Sequence, residues 1–176
     1  MKISSHKITT MGLLIALSII LTRIASLRIA IGGVEGIRIG FGGLPIILGG
    51  ILFGPLSGGL VGAISDLVGY FINPMGAYMP HFTLTSALTG IIPALVLKLS
   101  QKNEPNVLEL GIAIAVGQII TSLVLVPYFI HTLFGLPWKI LMPPRIIEVP
   151  IHIFIYAYVV NVILKRNILI AKSHKI

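Results

Sequence analysis

No cysteine occurs in the chain, and only five of its 176 residues are acidic. The first absence excludes disulfides and thiolate metal sites. Charged residues of both signs amount to 10%, against about a quarter in an ordinary soluble domain. Familiar catalytic motifs are missing too. There is no G-x-x-x-x-G-K-[ST], so ATP cannot be held by a P-loop. Neither H-E-x-x-H nor G-x-S-x-G occurs. No His or Cys pair has ligand spacing, so no metal site is expected.

What is present is apolar. The chain is 56% hydrophobic with a mean hydropathy of +1.03. Apolar runs recur at a length near the roughly 20 residues that cross a bilayer core. The expectation is an all-α integral membrane protein: a single domain over residues 1–176, built as a six-transmembrane-helix bundle in a lipid bilayer. The expected spans are Thr9–Leu27, a short one over 41–54, one from Pro55 to Asn73-Pro74, Pro80–Leu99, Val107–Phe134 and Ile146–Leu164. Glycines in the connection SLRIAIGGVEGIRIGFG argue against continuous helix there. Pro127 is expected to end or kink the fifth span. Lys2 and Lys7 before an apolar run resemble a signal peptide. The run continues to Ile24 with Arg23 in it, so an uncleaved first helix is expected.

The net charge of +8 would suggest nucleic acid in a soluble protein. Here the basic residues lie at the two ends and in short loops, so they act as orientation signals and no nucleic acid is expected. Six spans put Lys2, Lys7, Lys98, Lys102, Lys165, Arg166, Lys172 and Lys175 on one side, against Arg23, Arg28, Arg38, Lys139 and Arg145 on the other. The bias places both termini in the cytoplasm. It also leaves outer arginines in need of another task.

One acid is conspicuous. Gly58, Gly62, Asp66 and Gly69 share a helix face, where glycines allow close helix contact. Asp66 should therefore face protein or a cavity, because facing lipid is costly. It is either a ligand-binding carboxylate or a structural partner for an arginine. Arg28, Arg38 and Arg145 suit an anionic ligand; the plainer reading is internal pairing, as for Arg145 with Glu148 at helical spacing. Tyr70, Tyr78, His81 and Phe82 crowd one outer connection and Trp138 another. Their rings could stack on a flat ligand or simply mark the membrane interface. Gly12 and Ala16 form a small-xxx-small pair, for internal packing or for docking another subunit.

Several stretches together resemble a known family. They are R-I-G-F-G-x-L-P at Arg38–Pro45, F-G-P-L at Phe53–Leu56, G-A-x-x-D-L-x-G at Gly62–Gly69, G-A-Y-x-P-x-F-T-L at Gly76–Leu84 and, more weakly, Pro143-Pro144-Arg145. The chain resembles the substrate-binding S components of energy-coupling factor (ECF) vitamin transporters, most of all the folate-specific type. The resemblance implies a prokaryotic, multi-pass cell-membrane protein that is not an enzyme. It would bind a vitamin near the outer face and dock through its first helix, here with Gly12 and Ala16, on a membrane coupling subunit (the T component). Two ATPase subunits would use the ATP, and the loaded subunit would deliver the vitamin by reorienting in the membrane. No cofactor is implied; folate is the transported ligand. Its flat pterin and two carboxylates match the residues singled out: Asp66 or Glu148 near the pterin, Arg28, Arg38 and Arg145 for the tail, and Tyr78, Phe82 and Trp138 for stacking, with His81 alongside. The alternatives are another vitamin or precursor such as pantothenate or a queuosine precursor, a membrane enzyme using Asp66, His81 and Glu148 as acid–base groups, or a structural subunit.

Overall fold

The computed structural model describes residues 5–31, 34–74, 78–100 and 105–173, with side chains described for 5–26, 40–74, 78–100 and 105–166. Among the described residues, seven α-helices and two paired β-strands follow one another. They are α1 (Ser5–Ile19) with a π-helical continuation Ile20–Ile24, strands β1 (Leu27–Ile31) and β2 (Val34–Ile39), α2 (Gly43–Phe53), α3 (Pro55–Ile72), α4 (Pro80–Leu99), α5 (Val107–Gln118), a π-helical segment Ile119–Leu125, α6 (Val126–Phe134) and α7 (Trp138–Ser173). Five helical stretches are long and apolar enough to cross a membrane: Ser5–Ile24, Pro55–Ile72, Pro80–Leu99, Val107–Phe134 and Trp138–Arg166. The sixth, α2, has 11 residues and spans only about 16 Å.

Side chains are distributed inside out relative to a soluble protein. Leu13, Leu17, Leu56, Phe71, Phe154 and Tyr158 point outward, whereas Ser18, Arg23, Ser65, Gln118, Thr121 and His152 are buried. Lipid is as apolar as leucine, so burial of apolar surface does not drive helices together in a bilayer; close packing and internal hydrogen bonds do. α2 lies centrally. Its Ile46, Ile47 and Leu48 pack with Leu14 of α1, Val61 of α3, Leu110 and Ile114 of α5 and Val160 of α7. A helix apolar on all sides belongs in the interior.

Glycine sets the tightest contacts. A Cβ at Gly58 would lie 2.5 Å from the Cα of Gly50, and one at Gly90 would lie 2.5 Å from the backbone carbonyl of Gly58. Helices α2, α3 and α4 therefore meet backbone to backbone. Gly54, with φ 94°, makes the corner between α2 and α3, and Pro55 opens α3. The left-handed region admits glycine at no steric cost, and proline suits the first helical position.

Two expectations need correction. Within the connection that follows the first span, Leu27–Ile31 and Val34–Ile39 pair as antiparallel strands with a bulge at Ile29/Ala30, so the described residues are not purely α-helical. Isoleucines at alternate positions, Ile29 and Ile31 against Ile37 and Ile39, carry the two-residue period of strands. The last helix starts at Trp138 rather than Ile146 and takes Pro143 and Pro144 into its length. Proline fixes a φ compatible with helix, and in membrane helices neighbouring groups re-satisfy the carbonyls it strands.

Candidate binding cavity

A cavity of about 190 Å³ lies inside the bundle, bounded by the end of α1, the start of α2, α3, α4, α5 to α6, and α7. Two charged clusters line it.

The first joins α1, α3 and α4. Arg23, 6% exposed, sits in the π-helical end of α1. Its Nη2 is 3.3 Å from Asp66 Oδ1, and its Nη1 donates to the Asn73 carbonyl at 3.4 Å. Thr83 Oγ1 donates to Asp66 Oδ2 at 2.8 Å, and the Tyr78 hydroxyl lies 2.9 Å from Thr83 Oγ1. The rings of Tyr70 and Tyr78 meet at 5.2 Å. Gly69 leaves room for the Arg23 side chain, since a Cβ there would stand 2.9 Å from Nε. The glycine face of α3 thus packs where Asp66 reaches its arginine. That arginine is Arg23, one of the outer cations whose number exceeds what orientation needs.

The second cluster is a stripe on α7. Arg145, Glu148, Val149, His152 and Tyr156 all line the cavity, at the helical spacing that puts them on one face. Glu148 Oε1 is 3.5 Å from His152 Nδ1. His152 and Tyr156 stack with centroids 5.1 Å apart and planes 6° from parallel, and Phe41 meets His152 edge-on at 5.3 Å. The Tyr156 hydroxyl donates to the Gly40 carbonyl at 3.4 Å.

Between the clusters, Arg145 Nη1 donates to the Ser122 carbonyl at 3.3 Å. Local sequence explains why that carbonyl is available. In the π-helical segment the Val126 N–H goes to the Thr121 carbonyl, five residues back. The next donor in that register would be residue 127, which is proline and has no N–H. π-Turns inside helices recur at functional sites, and here both border the cavity, through Thr22 and Arg23 and through Thr121 and Ser122. Ser65 adds a buried hydroxyl, 5% exposed, that lines the cavity without a hydrogen-bond partner among the described residues.

Of the residues singled out from sequence, Asp66, Tyr78, Phe82, Arg145 and Glu148 line this cavity. His81 and Trp138 do not: His81 is exposed and lies 4.9 Å from the Phe129 ring, and Trp138 packs on His131 at 5.4 Å. The backbones of Arg28 and Arg38 pair directly across the hairpin, and their side chains lie outside the described residues. Gly12 and Ala16 are exposed on α1. A Cβ at Gly12 would meet nothing within 4 Å, so this pair does not serve internal packing. The sequence reading does not single out Arg23, Gln118, His152 and Tyr156, which also line the cavity. Extending the helical period forward from Arg145 and Glu148 would have reached His152 and Tyr156. Arg23 carried the same signal as Asp66, a charge inside an apolar span.

An apolar helical bundle enclosing a polar, charge-lined cavity defines a multi-pass membrane protein with an internal site. The family model described as ECF-type riboflavin transporter, S component, matches residues 2–168. The folate transporter FolT of Clostridium novyi (strain NT) is 33% identical over 150 residues, covering 85% of this chain and 83% of that protein. A crystal structure of FolT bound with folic acid superposes with a TM-score of 0.73 at 25% identity, covering 89% of this chain and 91% of that one. A second structure, described as the S component of a bacterial ECF transporter, shares the fold at a TM-score of 0.56 and 18% identity, covering 97% and 98% of the two chains. The chain belongs to the family of S components of ECF-type transporters, a family of transporter subunits rather than enzymes.

Proposed function

We propose that this chain is the folate-binding S component of an ECF-type importer. The observation that carries the reading is the cavity's chemistry: arginines and carboxylates on two sides with a stacked aromatic floor. A pterin edge can donate paired hydrogen bonds to a carboxylate, and guanidinium groups can bind the carboxylates of the glutamate tail. Glu148 and the stacked His152–Tyr156 pair, backed by Phe41, suit the ring. Asp66 holds Arg23, and Arg23 and Arg145 suit the tail, as do Arg28 and Arg38 by their charge. Tyr78 and Phe82 close the side next to α4. Similarity to FolT supports the same ligand.

Six spans would leave both termini in the cytoplasm of a prokaryotic cell. The exposed face of α1 with Gly12 and Ala16 would dock on the coupling subunit, which carries two ATPases that consume the ATP. This chain would hold no cofactor and deliver folate inward by reorienting in the membrane.

The riboflavin reading is kept because the matching family model carries that name. A thermal-shift panel in detergent separates the readings. A ligand at a hundredfold excess over its Kd stabilises by about 2.7 kcal/mol. Folate should raise the unfolding midpoint, while riboflavin and pantothenate leave it in place. A shift with riboflavin alone would replace the folate assignment.

A further inference from the structure

Several neutral hydroxyls on the cavity wall are committed to nearby backbone. Ser18 Oγ donates to the Gly42 carbonyl at 2.8 Å, Thr89 Oγ1 to the Thr85 carbonyl at 2.9 Å and Thr121 Oγ1 to the Gly117 carbonyl at 2.8 Å. Gln118 is different. It closes α5, lines the cavity and is 5% exposed. Its Oε1 accepts a hydrogen bond from Ser122 Oγ at 2.9 Å, one helical turn on. That bond fixes which way the carboxamide faces. The two N–H donors on Nε2 have no acceptor among the described residues. Buried polar groups are rarely left open in this way.

The surroundings of Nε2 define where those donors stand. A Cβ placed on Gly43 would lie 3.7 Å from Gln118 Nε2 and 3.4 Å from the Tyr156 ring. The donors therefore stand at the start of α2, beside the ring that stacks on His152. A flat ligand held at Glu148 and this aromatic pair brings its rim towards them. Glu148 accepts from the ring's own donors; what Gln118 requires is an acceptor on the same rim.

We propose that Gln118 is a specificity-determining residue: its carboxamide donates to a carbonyl on the ligand's ring, and so selects a ring bearing an oxo group over one bearing an amino group at that position. In folate the acceptor is the oxo group of the pterin. A site built to donate a hydrogen bond rejects an analogue that cannot accept it, because the buried donor is then left unpaired. The proposal rests on the folate reading, since it assigns one atom of that ligand.

The test is titration of the purified chain with folate and with aminopterin, which has an amino group where folate has the ring oxo group and is otherwise identical. Both carry the same glutamate tail, so the tail cancels in the ratio of their affinities. The exchange also alters the donors offered to Glu148, so the decisive quantity is the change in that ratio on substituting residue 118. Gln118→Met, close in size and without a donor, should weaken folate about tenfold and leave aminopterin nearly unchanged. Gln118→Glu, which only accepts when ionised, should shift the ratio further towards aminopterin, and it reads the same quantity where the methionine variant does not fold. A ratio unchanged by either substitution, whether both ligands weaken together or neither does, would overturn the proposal and leave the folate reading intact. Failure of the unsubstituted chain to bind folate would overturn both.

Discussion

At the scale of single residues, the Arg23–Asp66 pair shows what a charge costs in this setting. Both side chains are nearly enclosed, at 5% and 12% exposure. Removing one charge takes this ion pair from the other in a nearly enclosed site. Asp66→Asn should therefore destabilise by about 3 kcal/mol, read as a lower unfolding midpoint in detergent. Replacing both, Arg23→Met with Asp66→Leu, should recover much of that loss, because an apolar pair of similar volume carries no desolvation penalty. A double variant no more stable than Asp66→Asn would mean that the pair acts through other contacts. The sequence made one half of this pair legible. Asp66 stands out because its helix carries no other charge. Arg23 sits four residues before the end of its expected span, Leu27, and reads equally well as an interfacial anchor. Only packing against Gly69 separates the two roles. His152 was hidden for a similar reason: a lone histidine in an apolar helix has no sequence signature until its i−4 neighbour, Glu148, is seen on the same wall.

Elements were legible where proline and composition mark both ends. Pro80–Leu99 and Val107–Phe134 form over the expected residues. The π-helical stretch inside the second of these depends on a bond that residue 127 cannot donate, and sequence spacing does not distinguish that from a simple kink. Pro127→Ala restores an N–H able to compete with Arg145 for the Ser122 carbonyl. The helix should gain stability, while Arg145 loses a charged hydrogen bond worth about 1.5 kcal/mol. Folate affinity should fall about tenfold with the unfolding midpoint unchanged or raised; unchanged affinity would mean that Arg145 is placed by other contacts. The glycine contacts among α2, α3 and α4 make an independent prediction. A Cβ at Gly90 has no space against the Gly58 backbone, whereas one at Gly111 would meet only Ala157 Cβ at 3.9 Å. Gly90→Ala should cost about 3 kcal/mol through overpacking, and Gly111→Ala should leave the midpoint near its original value. Equal effects would mean the three helices can move apart without penalty.

At the scale of the whole molecule, the proposed binding and docking surfaces are different. The cavity draws on the inner faces of the helices. The outward face of α1 presents Gly12, Leu13, Ala16, Leu17 and Ile20, and the small residues leave space for another backbone to approach. Gly12 has open space around it, so enlarging it disturbs nothing inside the bundle. In a bilayer, an added side chain on a lipid-facing surface exchanges one apolar neighbour for another. On a docking surface it holds two backbones apart and forfeits their van der Waals contact. Gly12→Leu combined with Ala16→Leu should therefore leave folate affinity and the unfolding midpoint unchanged in the isolated chain. The same variant should lose co-purification with the coupling subunit and folate uptake by cells. Uptake at the original rate would show that α1 faces lipid throughout and that docking uses another helix. Loss of folate binding by the isolated chain would instead show that the outer face of α1 is coupled to the cavity through Ser18 and Arg23 on its inner side.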